Sequence, residues 1–261
     1  MTTTIAIIQM HIELGKPETN RQQALPRIKN AVLEGADVIV LPELWTTGYD
    51  LSRFDEIAEP LDGPTHQMMI DLAKQHSVTI TGSVAERGDN GYFYNTLVAY
   101  NPDGNRILNY RKAHLFRLMD EEKYLNSGNQ KGNFTLNDTL VAGVICYDIR
   151  FPEWIRTHML NGARALFVVA EWPKPRVEHW RNILISRAIE NQTFVIACNR
   201  VGADENNEFG GHSIVIDPWG NVVAEAGEKD EILLCEVDFS RVEAIREQIP
   251  IFQDRRPDLY E

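Results

Sequence analysis

Cys146 ends the apolar run VAGVIC at 141–146 and is followed by the polar stretch Tyr-Asp-Ile-Arg-Phe-Pro-Glu at 147–153. A cysteine placed where a strand gives way to a helix emerges at the edge of a sheet. Helix N-terminal amides there can stabilise a thiolate or an oxyanion. That makes Cys146 a candidate nucleophile, although most lone cysteines are small core hydrophobes. Cys198, inside VIACN, and Cys235, inside ILLCEV, have no such turn and read as core. A thiol nucleophile needs a base, a cation or both. Seven histidines are available (His11, His66, His76, His114, His158, His179 and His212), none in a papain-like or caspase-like setting. Two other apolar runs end in charge. Residues 36–41 (ADVIVL) lead into Pro42-Glu43, and residues 106–110 lead into Arg111-Lys112-Ala113-His114. Each of these charges, taken alone, is equally a solvated strand end.

The elements that must position these residues follow from hydrophobic period. Short β-branched runs at 4–9, 36–41, 78–84, 139–146, 165–170, 193–198 and 212–216 read as strands. Apolar residues at helical spacing mark 18–33, 65–76, 152–161 and 177–191 as helices; Trp180, Ile183, Leu184, Ala188 and Ile189 form the apolar stripe of the last. Asn-Pro-Asp-Gly at 101–104 predicts a hairpin between 95–100 and 106–110. Asp-Pro-Trp-Gly-Asn at 217–221 predicts another between 212–216 and 222–226. About thirteen strand-like runs are too many for one comfortable open sheet, so two sheets packed face to face are expected. No repeat and no Pro/Ser-rich linker divides the chain, which reads as one α/β domain over 1–261.

The 261 residues are 43% hydrophobic and 25% charged, which excludes disorder and fibrous repeats. A net charge of −12 argues against nucleic acid and anionic membrane as partners. Three scattered cysteines make neither a disulfide framework nor a zinc motif. With no signal-like N-terminus and no apolar run near the ~20 residues of a membrane span, a cytoplasmic location is expected.

Taken in order, PEL with Glu43, YRKAHLF with Lys112 and CYDIRFPE with Cys146 resemble the carbon–nitrogen hydrolase (nitrilase) superfamily. The resemblance spans nearly the whole chain, from IAIIQM to the final hairpin region. It implies a Glu-Lys-Cys triad in a four-layer α-β-β-α sandwich, paired through its helices into a homodimer or a higher homo-oligomer, with no metal or organic cofactor. It also implies a second glutamate ahead of the cysteine strand. Counting back from Ser127-Gly128 in DEEKYLNSG gives Glu121, with Glu122 as the fallback.

CYDIRFPE points to the amidase-like branch. LPELWTTGYD, RKAHLF, AEWP followed by HW, and SRAIENQ are similar to bacterial ω-amidases, which act on dicarboxylate monoamides such as 2-oxoglutaramate. The expected partner is therefore a small-molecule amide. An anionic substrate needs a cation beyond Lys112, and Arg176 in WPKPR is the candidate, while Arg150 is expected to support the cysteine turn through ion pairs. Glu171 and Trp172 are expected to line the pocket, with Phe116 and Tyr147 as its apolar walls. Two other readings stand beside this one: a superfamily hydrolase of nitriles, N-carbamoyl groups or aliphatic amides, and a catalytically silent scaffold. Intact Glu43, Lys112 and Cys146 count against the scaffold.

Overall fold

Strand Thr3–Gln9 is buried at every position but Thr4 because both of its faces are covered. Ile5 and Ile7 point toward a second sheet, while Ala6 and Ile8 point toward helices, as the two-residue period of a strand requires. The computed structural model describes residues 2–260 and repeats this arrangement twice. The first sheet has the order Glu231–Val237, Thr3–Gln9, Val38–Val40, Thr79–Arg87, Phe93–Tyr100, Arg106–Arg111. The second has the order Val222–Glu225, Ile214–Ile216, Phe194–Asn199, Ala165–Ala170, Thr139–Ile145, Asn133–Leu136. Each sheet contains three neighbouring parallel strands and antiparallel ones outside them, so both are mixed. A two-stranded ribbon, Val201–Ala203 with Glu208–Gly210, adds to these.

The inner faces share one core. Leu97, Leu108 and Tyr110 of the first sheet meet Phe134, Val144, Phe167 and Ile196 of the second. Outside the first sheet pack helices Pro17–Leu33 and Pro64–His76, through Ala24, Ile28, Met69 and Leu72. Outside the second pack Pro152–Leu160 and Val177–Asn191, through Ile155, Met159, Trp180 and Leu184. The result is the expected α-β-β-α sandwich.

Both predicted hairpins form. Phe93–Tyr100 pairs antiparallel with Arg106–Arg111, and Ile214–Ile216 with Val222–Glu225. One apolar assignment is corrected: Ile189 is 52% exposed. The buried stripe of its helix is Trp180, Leu184, Arg187, Ala188 and Asn191. Nine residues at 100° each carry Ile189 to the side opposite Trp180, whereas positions seven and eight on remain beneath the sheet. The short strand Asn133–Leu136 and the ribbon have no apolar run long enough to read from sequence.

Gly128 lies where two segments touch. Its N–H donates to the Lys112 carbonyl at 2.8 Å, and a Cβ there would come within 2.2 Å of the Arg111 carbonyl oxygen. Backbone cannot yield as a side-chain tip can, so Gly128→Ala is expected to cost about 1–3 kcal/mol. A thermal or urea melt measures it, and an unchanged midpoint would disprove the close approach.

Candidate active site

The candidate residues lie at strand ends because charge cannot continue into a two-sided core. Val38–Val40 runs into Glu43, Arg106–Arg111 into Lys112, Thr139–Ile145 into Cys146 and Ala165–Ala170 into Glu171. The first two belong to one sheet and the last two to the other. Face-to-face packing brings all four together.

Lys112 and Glu43 are buried completely at their side chains, with Lys112 Nζ 2.8 Å from Glu43 Oε1. The same ammonium lies 2.7 Å from Glu121 Oε1 and 3.1 Å from Tyr49 Oη. Glu122, by contrast, is exposed. Glu43 Oε1 also accepts from Asn95 Nδ2 at 2.7 Å, and Oε2 accepts the Glu171 backbone N–H at 2.8 Å. Burial works against the Lys112 charge, but the Glu121 and Glu43 carboxylates outweigh it and hold the pKa above the ordinary lysine range. Glu121 moves upward as well. Burial and the Glu43 charge disfavour its anion more than Lys112 favours it, because two acids share one cation.

The Cys146 thiol lies beside the Glu43 carboxylate. Burial, then the Glu43 charge, push its pKa well above the usual thiol value, with Lys112 acting in opposition. The resting sulfur is therefore a thiol facing a carboxylate, an arrangement that can transfer its proton on demand. Cys146 has φ 44°, a left-handed conformation for a residue with a side chain. Such strain costs on the order of 1–3 kcal/mol and needs support.

Asp148 supplies part of that support. Its buried carboxylate accepts from the Ile145 N–H at 3.0 Å, the Tyr110 hydroxyl at 2.7 Å and the His114 N–H at 3.0 Å. It also bonds His114 Nδ1 at 2.7 Å. One side chain thus ties the segment around Lys112 to the residue before Cys146. Arg187 donates to the Ile149 carbonyl at 2.8 Å from below.

Phe116, Tyr147, Glu171, Trp172 and Arg176, all expected from sequence, line a narrow cleft with Cys146. Phe116 and Tyr147 pack with ring centroids 4.8 Å apart, and the Arg176 guanidinium lies 5.8 Å from the Phe116 centroid. Arg150 departs from its expected role. Instead of ion-pairing under the turn, it lines the cleft, with its guanidinium 4.8 Å from the Trp172 ring centroid and 3.5 Å from His179 Nδ1. Glu171 has its own cation. Arg200 Nη1 lies 2.9 Å from Oε2, both side chains fully buried, yet burial still pushes the Glu171 carboxyl up to about 8. Among the described residues, no group of three or more His, Cys, Asp and Glu side chains is arranged to hold a metal ion.

The carbon-nitrogen hydrolase family model matches residues 4–247. The chain belongs to that family. The 2-oxoglutaramate amidase of Bacillus subtilis is 51% identical over 262 residues, covering 100% of both chains. The human omega-amidase NIT2 is 33% identical over 269 residues, covering 98% of this chain and 96% of that one. Among solved structures, a CN-hydrolase superfamily protein of Xanthomonas campestris superposes with a TM-score of 0.92 at 29% identity, covering 98% of each chain. Nit3 of Saccharomyces cerevisiae, from the nitrilase superfamily, gives 0.87 at 30% identity over 95% of this chain and 94% of that one.

Sequence reasoning missed several residues of the candidate site in this carbon-nitrogen hydrolase. Tyr49 and Asn95 touch Glu43, and Asp148 and Arg187 brace the cysteine turn. Tyr49 lies within LPELWTTGYD, whose resemblance flagged the segment but not the hydroxyl. Asn95 has no local signal, since only strand pairing brings its carbonyl to the Lys112 N–H, at 2.9 Å. Asp148→Ala would leave several buried donors without an acceptor, at about 1–3 kcal/mol each, and loosen the Lys112–Cys146 geometry. Expected outcomes are a clear drop in unfolding midpoint and a loss of activity of order 10²; wild-type values for both would exclude the brace.

Proposed function

We propose that this enzyme hydrolyses the ω-amide of small dicarboxylic monoamides, with 2-oxoglutaramate as the type substrate, to the acid and ammonia. The observation that carries this reading is a cleft holding a carboxylate-paired thiol at its base and two guanidinium groups, Arg150 and Arg176, on its walls. The 51% identity to an amidase named for that substrate supports the same choice. One end of the substrate is an amide for the sulfur, and the other is an anion for the guanidinium groups.

In this mechanism Glu43 takes the Cys146 proton as the sulfur attacks the amide carbon. The carbonyl oxygen becomes an oxyanion facing the Tyr147 backbone N–H and Lys112. All three hydrogens of the ammonium are engaged at rest, and the contact to Tyr49 is the longest, at 3.1 Å. Lys112 turns that hydrogen toward the oxyanion while keeping both carboxylate bonds. Glu43 then protonates the nitrogen, the C–N bond breaks, and ammonia leaves a thioester on Cys146. Glu43 next takes a proton from water as the water oxygen attacks the thioester carbon; the C–S bond breaks, the acid leaves, and Glu43 returns that proton to the Cys146 sulfur. Each oxyanion donor is worth ~10²–10³ in rate.

Pairing into a homodimer fits the exposed apolar residues Leu160, Ile189 and Trp219 on and beside the helices covering the second sheet. Light scattering reads it directly. No helix among the described residues is long and apolar enough to cross a membrane.

Ammonia release separates the substrate readings. 2-Oxoglutaramate, glutaramate and succinamate are expected to turn over, while a nitrile and N-carbamoyl-β-alanine are not. Turnover of the nitrile alone would defeat the proposal. Cys146→Ala is expected to abolish release with the fold intact, and Cys198→Ala to retain it. For the anion end, Arg176→Ala and Arg150→Ala should each raise KM for ω-amide acids by roughly 10- to 100-fold, as expected for a lost charged hydrogen bond. Uncharged amides should change little. Equal effects on both substrate classes would remove that arginine from the carboxylate site.

A further inference from the structure

The buried cluster around Lys112 has more short contacts than ordinary ionisation supplies hydrogens for. Lys112 Nζ directs its three hydrogens to Glu43 Oε1, Glu121 Oε1 and Tyr49 Oη. The Tyr49 hydroxyl has a single hydrogen of its own, yet its oxygen is 2.7 Å from Glu43 Oε1 and 2.8 Å from Glu121 Oε1. Both are hydrogen-bond distances, and an ionised carboxylate only accepts. Tyr49 fills one contact. The other requires a proton on a carboxyl group.

Charge gives the same answer. Glu43, Lys112 and Glu121 are within 1% of full burial. Two ionised glutamates and one ammonium leave a net negative charge in that volume, whereas one added proton makes the cluster neutral. The donor count decides where the proton resides. Apart from Tyr49, Glu43 accepts from Lys112, Asn95 and the Glu171 amide, while Glu121 accepts from Lys112 and the Phe116 amide. The better-solvated anion is Glu43.

We propose that Glu121 is protonated in the resting enzyme, donating through Tyr49 to an ionised Glu43, and that Tyr49 is a positioning residue for that base. The chain runs Glu121 O–H to Tyr49 Oη, then Tyr49 O–H to Glu43 Oε1. The groups facing it are Lys112, the Cys146 thiol and, beside Glu43, Glu171 with its partner Arg200. Burial and the Glu43 charge, which raise Glu121, act in the required direction. The role given to Glu43 rests on the mechanism above; the protonation state does not.

Infrared difference spectroscopy of the substrate-free enzyme at neutral pH, wild type minus Glu121→Gln, tests the protonation state. Loss of a protonated-carboxyl C=O band is expected. Loss of an ionised carboxylate band instead would overturn the proposal. Subtracting the variant removes any contribution from Glu171. The second arm is Tyr49→Phe, assayed with 2-oxoglutaramate after its fold is checked by circular dichroism. It should lower kcat by about 10- to 100-fold, the worth of one hydrogen bond to a charged group, and change KM far less. The acid limb of its kcat/KM profile should move to higher pH, because the ionised base has lost a donor. An unmoved profile would overturn the positioning role. Neither spectrum needs turnover, so an enzyme that ignores ω-amides but shows the band refutes only the function proposed above.

Discussion

An ammonium sealed from water is the constraint around which this molecule is arranged. Lys112 has no exposed side-chain surface, and an unpaired buried charge costs several kcal/mol even after relaxation. Its carboxylate partners come from different distances along the chain, Glu121 from nine residues away and Glu43 from sixty-nine. The first is reached by a local loop and the second across two intervening strands of the first sheet. Glu43 is held in turn by the Glu171 amide at the end of a strand in the other sheet. Separating the sheets would therefore take a backbone donor from the buried Glu43 anion, so the packing of the sandwich helps to hold the charge that balances Lys112.

The same coupling explains the chemistry available to Cys146. Nothing in the cleft makes its sulfur a standing thiolate; burial and a facing carboxylate keep it protonated. In the proposed mechanism, reactivity then depends on a substrate carbonyl arriving, when sulfur loses its proton as charge moves onto oxygen. Such a site is less exposed to adventitious alkylation or oxidation than one that stores a thiolate.

Much of this was legible in the sequence because strands buried on both faces must stop where charge begins. Glu43, Lys112 and Cys146 each follow an apolar run, and their order carries the family resemblance. Glu121 was found by counting from a glycine that the structure places against the Lys112 segment. What remained hidden depends on geometry that a linear pattern does not encode. Arg150 and Arg187 are both arginines near the turn; a left-handed φ at Cys146 and the pitch of a neighbouring helix decide which one braces it and which one faces the cleft. Tyr49 and Asn95 contribute through a hydroxyl and an amide that any loop or strand could carry. The overall charge of −12 also told little about the cleft, where Arg150 and Arg176 set the local field.

The convergence of strand ends from two sheets also bears on how the molecule comes into being. A chain emerging from synthesis completes the first sheet's Glu43 and Lys112 before Cys146 exists, and the strand ending at Val237 closes that same sheet last, beside Thr3–Gln9. Contacts this far apart in sequence form late, after the loop-closure entropy has been met. A partly folded molecule thus carries an ordinary solvated acid, an ordinary lysine and an unactivated thiol. The grouping of Glu43, Lys112 and Cys146 exists only in the finished sandwich, so on the proposed mechanism an incomplete chain has no site with which to react.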